Sequence, residues 1–188
     1  MQLPDIRRRA RQGRRLALAR ACDARPGLRV HDALAGWGTD GLVLAALGCR
    51  VHLSERNARV HEILDARLRT ESGRLLGERP DAISWAHEDA RDRWRAGDQF
   101  DVVYLDPMFG EHPKTALPAK QMQVLAKLAG EMTNGKVVAL IDEARRVAAA
   151  RVVVKRRASA ETLGQPDWHI RARSVRFDVY LPVPRCRA

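Results

Sequence analysis

At 188 residues the chain is long enough for one hydrophobic core and too short for two. With 45% hydrophobic and 30% charged residues it is not a disordered polymer, and no apolar run approaches membrane-spanning length. The widely spaced cysteines Cys22, Cys49 and Cys186 exclude a disulfide framework and a CxxC zinc site; the six scattered histidines show no ligand spacing, so no metal site is expected. A net charge of +11 and a pI near 10.7 call for a polyanionic partner, with nucleic acid the first candidate. Arginine outweighs lysine, which suits bidentate phosphate contacts. It clusters at Arg7, Arg8, Arg9, Arg11, Arg14 and Arg15, and again with Lys155 at Arg151, Arg156 and Arg157. The N-terminus runs into arginines without the apolar stretch of a signal peptide, so a cytoplasmic protein is expected.

In chain order, an arginine-rich helix is expected from about Pro4 to Cys22, with a break at Arg25-Pro26-Gly27. This divides the chain into a basic helical segment, residues 1–26, and a main domain, residues 27–188. Leu28–Asp32 reads as a first strand, followed by a glycine-rich loop and a helix through Leu42–Leu47 that stops at Gly48. Cys49–Leu53 is a second strand, closing on Ser54-Glu55-Arg56-Asn57. A long helix, Ala58 to about Leu76, carries Val60, Ile63, Leu64 and Leu68 at helical spacing. Ala82–His87 gives a third strand that ends in Glu88-Asp89, and a short helix covers Arg91–Arg95.

The apolar run Val102-Val103-Tyr104-Leu105 suits a strand buried on both faces. It ends in Asp106-Pro107-Met108-Phe109: an acceptor, a rigid turn and a flat stacking surface together. After the loop Gly110–Thr115, a helix from about Pro118 carries Met122, Leu125, Leu128 and Ala129. Asn134-Gly135 is expected to turn into a strand at Val137–Ile141, followed by a helix near Glu143–Ala149. Strands at Val152–Val154 and Val175–Tyr180, joined by a polar connector over Ala158–Trp168, complete the chain. Alternating strands and helices imply an α/β fold with a mostly parallel sheet, helices on both faces and right-handed crossovers. The last two strands have no helix between them and should pair as an antiparallel C-terminal hairpin.

Gly36-Trp37-Gly38-Thr39-Asp40-Gly41 is a GxGxxG after a strand and before a helix, and Glu55 follows at about 20 residues, as in a dinucleotide site. In that fingerprint the glycines begin at the strand end, so that pyrophosphate sits on the helix N-terminus. Here Asp32 ends the strand and Ala33-Leu34-Ala35 intervene. A carboxylate facing the loop repels pyrophosphate and suits a cationic ligand, such as the amino group and sulfonium of S-adenosylmethionine. Glu55 can accept from ribose hydroxyls, and Asp89 from an adenine amino group. Capping by Asn57 and Asp89 of the helices that follow is the structural alternative. Acids on three successive strand ends, with Asp-Pro-Met-Phe on the fourth, describe a nucleoside pocket beside a second, base-sized pocket.

These blocks resemble the class I S-adenosylmethionine-dependent methyltransferases. Within them the chain resembles the ribosomal RNA small subunit methyltransferase J family. The resemblance rests on Asp32-Ala33-Leu34-Ala35-Gly36-Trp37-Gly38-Thr39-Asp40, Leu47-Gly48-Cys49-Arg50-Val51, Glu55-Arg56-Asn57 and Val103-Tyr104-Leu105-Asp106-Pro107-Met108-Phe109. It continues through Lys114-Thr115-Ala116-Leu117, the basic strand Arg151–Arg156 and Arg176-Phe177-Asp178-Val179-Tyr180. It implies a Rossmann-like fold, S-adenosylmethionine as cofactor, and methylation of a guanine N2 amine in 16S ribosomal RNA. It places cofactor contacts on Thr39, Asp40, Glu55, Arg56, Asp89, Ala90 and Asp106, in addition to Asp32, Gly36 and Gly38. The chain departs from the family pattern at Thr39 (usually Arg), Asp89-Ala90 (usually two serines) and Gly110 (usually Pro), and in a shorter N-terminal segment.

On this reading Asp106 and the Pro107 carbonyl accept the two N–H bonds of the amine, and Phe109 stacks on the extruded base. Lys114, Lys120, Arg7, Arg8 and Arg9 are the candidates for contact with ribosomal RNA or the small ribosomal subunit, and no membrane is involved. Three alternatives stay open at this point. They are an amino-methyltransferase acting on adenine or cytosine in DNA or another RNA, an NAD-linked oxidoreductase, and a non-catalytic RNA-binding module.

Overall fold

The computed structural model describes residues 3–107 and 132–183. The expected arginine-rich helix is broken into α1 (Leu3–Ala10), a 3-10 turn at Gly13–Arg15, and α2 (Ala17–Cys22). Gly13 takes a positive φ of 52°, and Leu16 is extended ahead of α2. The break lets Ile6 on α1 and Leu18, Ala21 and Cys22 on α2 all reach the core of the sheet.

Next come β1 (Arg29–Asp32), α3 (Thr39–Ala46), β2 (Arg50–Glu55), α4 (Ala58–Leu76), β3 (Ile83–His87), α5 (Ala90–Arg95) and β4 (Phe100–Leu105). The chain resumes with α6 (Asn134–Val147), β5 (Ala148–Arg157), β6 (Trp168–Arg171) and β7 (Val175–Tyr180). The helix expected from Pro118 lies outside the described residues. Further differences from the sequence reading lie in the C-terminal half. Val137–Ile141 is not a strand but part of α6, which also takes in the expected Asn134-Gly135 turn, while Ala148 and Ala149, expected at the end of a helix, open β5. Thr133 caps that helix by accepting from the Lys136 N–H, and Val137, Leu140, Ile141 and Ala144 form its buried face. Their i, i+3, i+4, i+7 spacing is helical, but five apolar residues in a row mask it. Conversely, β6 falls at the end of the expected connector. It is a short, mostly exposed edge strand, and four residues, Trp-His-Ile-Arg, are too few to give a clear strand period.

The sheet has the order β3-β2-β1-β4-β5-β7-β6. Strands β1 to β5 run parallel, and β7 pairs antiparallel with both β5 and β6. The antiparallel C-terminal strands therefore match expectation. Alternation along β4 sends Val102 and Tyr104 to one core layer, with α1 to α4, and Val103 and Leu105 to the other, with α5 and α6. A strand buried on both faces has no polar side, which is why its sequence is uninterrupted. The chain leaves β1 towards β2 and β4 towards β5, so strand order reverses between β1 and β4. Open α/β sheets hold their ligands at such a point, beyond the carboxyl ends of the strands. No helix among the described residues is long and apolar enough to cross a membrane.

One buried polar chain runs through β1 to β3. The Trp94 indole can only donate, and it donates to His31 Nδ1 at 2.9 Å. His31 Nε2 must then carry the proton, and it lies 2.8 Å from Ser54 Oγ, whose hydroxyl donates to Glu88 at 2.7 Å. His52 and Arg93 donate to the same Glu88 oxygen. Burial, reinforced by His52 and Arg93, lowers His31 to a pKa of about 3 against the partial counter-effect of Glu88.

An unfolded histidine titrates near 6.5, so below that pH the unfolded chain binds a proton that the native state refuses. This contribution to stability is complete above pH 6.5 and is lost as pH falls towards 3. Urea unfolding should show a loss of about 2 kcal/mol between pH 7 and pH 5 from this residue, and His31→Asn should remove that part of the slope.

Candidate functional site

The site assembles at the carboxyl ends of β1, β2 and β4, with β3 running into a cavity beside them. Asp32 closes β1 and is 2% exposed. Its Oδ1 has no hydrogen-bond partner among the described residues. Burial, and then the Asp40 and Asp106 carboxylates, push its pKa well above the ordinary carboxylate range. A buried acceptor without a donor is costly, and a bound donor or cation would relieve it.

The loop after Asp32 is held by the Ala33 N–H on the Tyr104 carbonyl and the Ala35 N–H on the Ser54 carbonyl. Gly36 and Gly38 both take positive φ, 52° and 64°. A Cβ on Gly36 would meet nothing within 4 Å, whereas one on Gly38 would lie 2.6 Å from Leu64 Cδ1. Gly41 has no positive φ, but a Cβ there would lie 2.9 Å from Leu53 and 3.2 Å from Asp32 Oδ2. The first glycine therefore leaves open space over the loop, and the other two allow α3 to pack closely.

Glu55, 8% exposed at the end of β2, accepts the Gly36 N–H on one oxygen at 3.1 Å and the Asn57 N–H on the other at 2.8 Å. Each oxygen keeps a lone pair, so the carboxylate is oriented yet still able to accept two hydroxyls. Asn57 also caps α4 through the Val60 N–H. Asp89 caps α5 and is paired with Arg91. Both structural alternatives for these residues are therefore realised. Asp89, Ala90 and Arg56 also line a cavity of about 230 Å³ together with Ala33, Leu34, Glu88, Arg91, Met132, Lys136, Ala139 and Leu140. A shallower depression of about 300 Å³, lined by Arg7, Ala10, Arg11, Ala46 and Leu75, holds none of these acids.

Thr39 and Asp40 open α3, and both are engaged by protein groups. Arg67 donates to the Thr39 hydroxyl at 2.8 Å and to the Trp37 carbonyl at 2.7 Å, pinning the loop to α4. Asp40 receives Arg9 at 2.7 Å on Oδ1, and the Tyr104 hydroxyl at 2.7 Å and Lys155 Nζ at 2.8 Å on Oδ2. Burial alone would raise Asp40, but the two cations outweigh it and hold its pKa far below the ordinary range. Lys155 also reaches Asp106 Oδ2 at 2.7 Å. Burial would lower the lysine, but the two carboxylates prevail and the net shift is upward.

The structure thus gathers Asp32, Gly36, Glu55, Asp40 and Asp106 at one sheet edge, with Arg56, Asp89 and Ala90 on the adjoining cavity and Pro107 directly after Asp106. Phe109, Lys114 and Lys120 lie outside the described residues. The arginine cluster separates. Arg7 donates to the Arg74 carbonyl and Arg8 pairs with Asp5, both exposed, while Arg9 turns inward to Asp40. Nor do the basic residues of β5 form one surface. Lys155 faces the site, Arg156 is buried and donates to the Glu161 carbonyl, and Arg151 lies over the Trp168 ring. Sequence reasoning did not find Lys155, Tyr104, Arg67 or Glu88. The available signal for Lys155 was its parity with Val153 in a strand, which puts both on one face.

Comparison with known proteins gives a consistent family. Residues 3–182 match the family model described as putative SAM-dependent methyltransferase. A ribosomal RNA small subunit methyltransferase J of Legionella pneumophila is 35% identical over 181 residues, covering 93% of this chain and 72% of that protein. The protein of the same name from Shewanella amazonensis is 39% identical over 184 residues, covering 93% and 73%. Among solved structures, a SAM-dependent methyltransferase from Neisseria gonorrhoeae is similar with a TM-score of 0.67 at 35% identity, covering 93% of this chain and 72% of that one.

Replacing Gly38 by Ala combines a left-handed backbone with a 2.6 Å contact. Chemical denaturation should show a loss of about 2–4 kcal/mol. Gly36→Ala, with the backbone term alone, should lose about 1–2 kcal/mol.

Proposed function

We propose, from the premise that this chain belongs to the SAM-dependent methyltransferase family, that it methylates the exocyclic N2 amine of a guanosine in 16S ribosomal RNA. The observation that carries this reading is the placement of Asp106-Pro107 at the β1/β4 reversal, beside the oriented Glu55 and the buried Asp32, whose Oδ1 has no partner among the described residues. The residues present fit the cofactor. Asp32 offers an acceptor to its cationic amino-acid end, Gly36 an open backbone, Glu55 two acceptors for a ribose diol, and Asp89 with Ala90 the wall of a nucleobase-sized cavity. When bound, S-adenosylmethionine supplies an electrophilic methyl group on a sulfonium.

The chain's own residues supply alignment. A guanine amine is a poor nucleophile because its lone pair is delocalised into the ring. Asp106 and the Pro107 carbonyl each accept one N–H, which orients the nitrogen and favours a more tetrahedral centre. No strong base is required beforehand, because the alkylated amine becomes acidic as the new bond forms. Holding nucleophile and methyl carbon in a near-attack geometry is then the main catalytic term. Phe109 is assigned to stack on the extruded base, and Lys114 and Lys120 to contact phosphates, on sequence grounds.

Ribosomal RNA as substrate is supported by the names of the relatives and by the net charge of +11. Exposed Arg7, Arg8, Arg11, Arg14 and Arg15 offer phosphate contacts at the N-terminal segment. The substrate fits a cytoplasmic protein.

Purified protein should transfer labelled methyl groups to small-subunit ribosomal RNA from cells lacking the gene, with mapping placing the methyl on a guanine N2. Methylation of DNA instead would overturn the substrate. Calorimetry should detect binding of S-adenosylhomocysteine and none of NAD. Asp106→Ala should lower kcat about 10²-fold, a loss well beyond any weakening of S-adenosylhomocysteine binding from its cofactor contact. Unchanged methyl transfer in that variant would remove Asp106 from the mechanism.

A further inference from the structure

Three carboxylates crowd the reaction edge, and Lys155 is the cation that touches two of them. Its Nζ lies 2.8 Å from Asp40 Oδ2 and 2.7 Å from Asp106 Oδ2. The side chains are 6% exposed at Asp40, 26% at Lys155 and 37% at Asp106, so the bridge is shielded on the Asp40 side and opens towards Asp106. It joins elements 115 and 49 residues apart from the lysine: the first turn of α3, which follows the glycine loop, and the residue just past β4. The register explains the meeting. Leu105 pairs with Val154, so Asp106 and Lys155 are the next positions on two adjacent parallel strands, and alternation turns both to the face occupied by Tyr104 and Val153.

We propose that Lys155 is a positioning residue for methyl transfer: it grips one oxygen of Asp106, reserving the other for the substrate amine, and ties that carboxylate to Asp40 behind the cofactor loop. This role rests on the methyltransferase reading given above. Without the ammonium, Asp106 faces Asp40 and Asp32 with Arg9 as the one nearby cation among the described residues and the Tyr104 hydroxyl as a neutral neighbour. The Asp106 side chain then rotates freely, and its carboxylate is harder to ionise. Lys155 touches no bond that forms or breaks. Its effect passes through the orientation and charge of Asp106, and it should appear in turnover rather than in cofactor affinity.

The test uses the full-length protein, small-subunit ribosomal RNA as substrate and S-adenosylhomocysteine as binding probe. Lys155→Met should leave the Kd for S-adenosylhomocysteine within about threefold and lower kcat about 10²-fold. The acid limb of its kcat–pH profile should move to higher pH, because Asp106 loses the charge that favours its ionised form. Lys155→Ala should regain turnover saturably with added ethylammonium chloride, and not with sodium chloride at equal ionic strength. Unchanged kcat in Lys155→Met would overturn the proposal. So would parallel loss of binding and turnover without amine rescue, which marks a purely structural residue. Absence of methyl transfer by the unsubstituted protein would overturn the functional reading itself, and the role with it.

Discussion

Asp32, Asp40 and Asp106 converge where β1 and β4 lie side by side, and the surrounding chain is arranged against their mutual repulsion. Two devices do this. Arg9 from α1 and Lys155 from β5 supply positive charge to Asp40, and Lys155 serves Asp106 as well. No cation among the described residues pairs directly with Asp32, on which Lys155 acts only at a distance, and burial makes its charged form expensive. The site is thus an uneven charge distribution at the sheet's topological switch point, with Asp40 and Asp106 paired to protein cations and the buried Asp32 Oδ1 left as an acceptor.

This asymmetry also explains the packing of the N-terminal segment. α1 sits against α3 because Ile6 enters the core and Arg9, less than a turn later, reaches Asp40. A basic segment that sequence alone assigns to a polyanion therefore has two faces. Arg7, Arg8 and Arg11 remain exposed, whereas Arg9 belongs to the interior charge balance. The same division holds along β5, where alternation separates Lys155 from Arg156.

Rigidity on the other side of the cavity comes from the chain Trp94–His31–Ser54–Glu88–His52. Every proton in it is assigned by the one group that can only donate, the indole, and by the one that can only accept, the Glu88 carboxylate. Hydrogen bonds from His52, Ser54 and Arg93 offset the burial of Glu88 and keep its pKa below the ordinary value. A satisfied polar network between β1, β2 and β3 fixes the wall on which Asp89 and Ala90 stand. None of its histidines has ligand spacing, so composition and motif alone leave them without a role.

Much of the site could be read before folding was considered, because strand ends and glycine turns are local features. Asp106 closes an uninterrupted apolar run, Asp32 and Glu55 close strands that alternate apolar and polar residues, and the positive φ of Gly36 and Gly38 follows from a turn that other residues resist. Local signals failed where two periods overlapped, as at Val137–Ile141, and where a strand was short and exposed, as at Trp168–Arg171. By itself the sequence determined the alternating α/β plan, the acidic strand ends and the basic character of the chain. Only the tertiary structure decided which of the 34 lysines and arginines serve as internal counter-ions. Strand order and register bring Lys155 to Asp40 across 115 residues, and no property of either residue in its own segment announces that meeting.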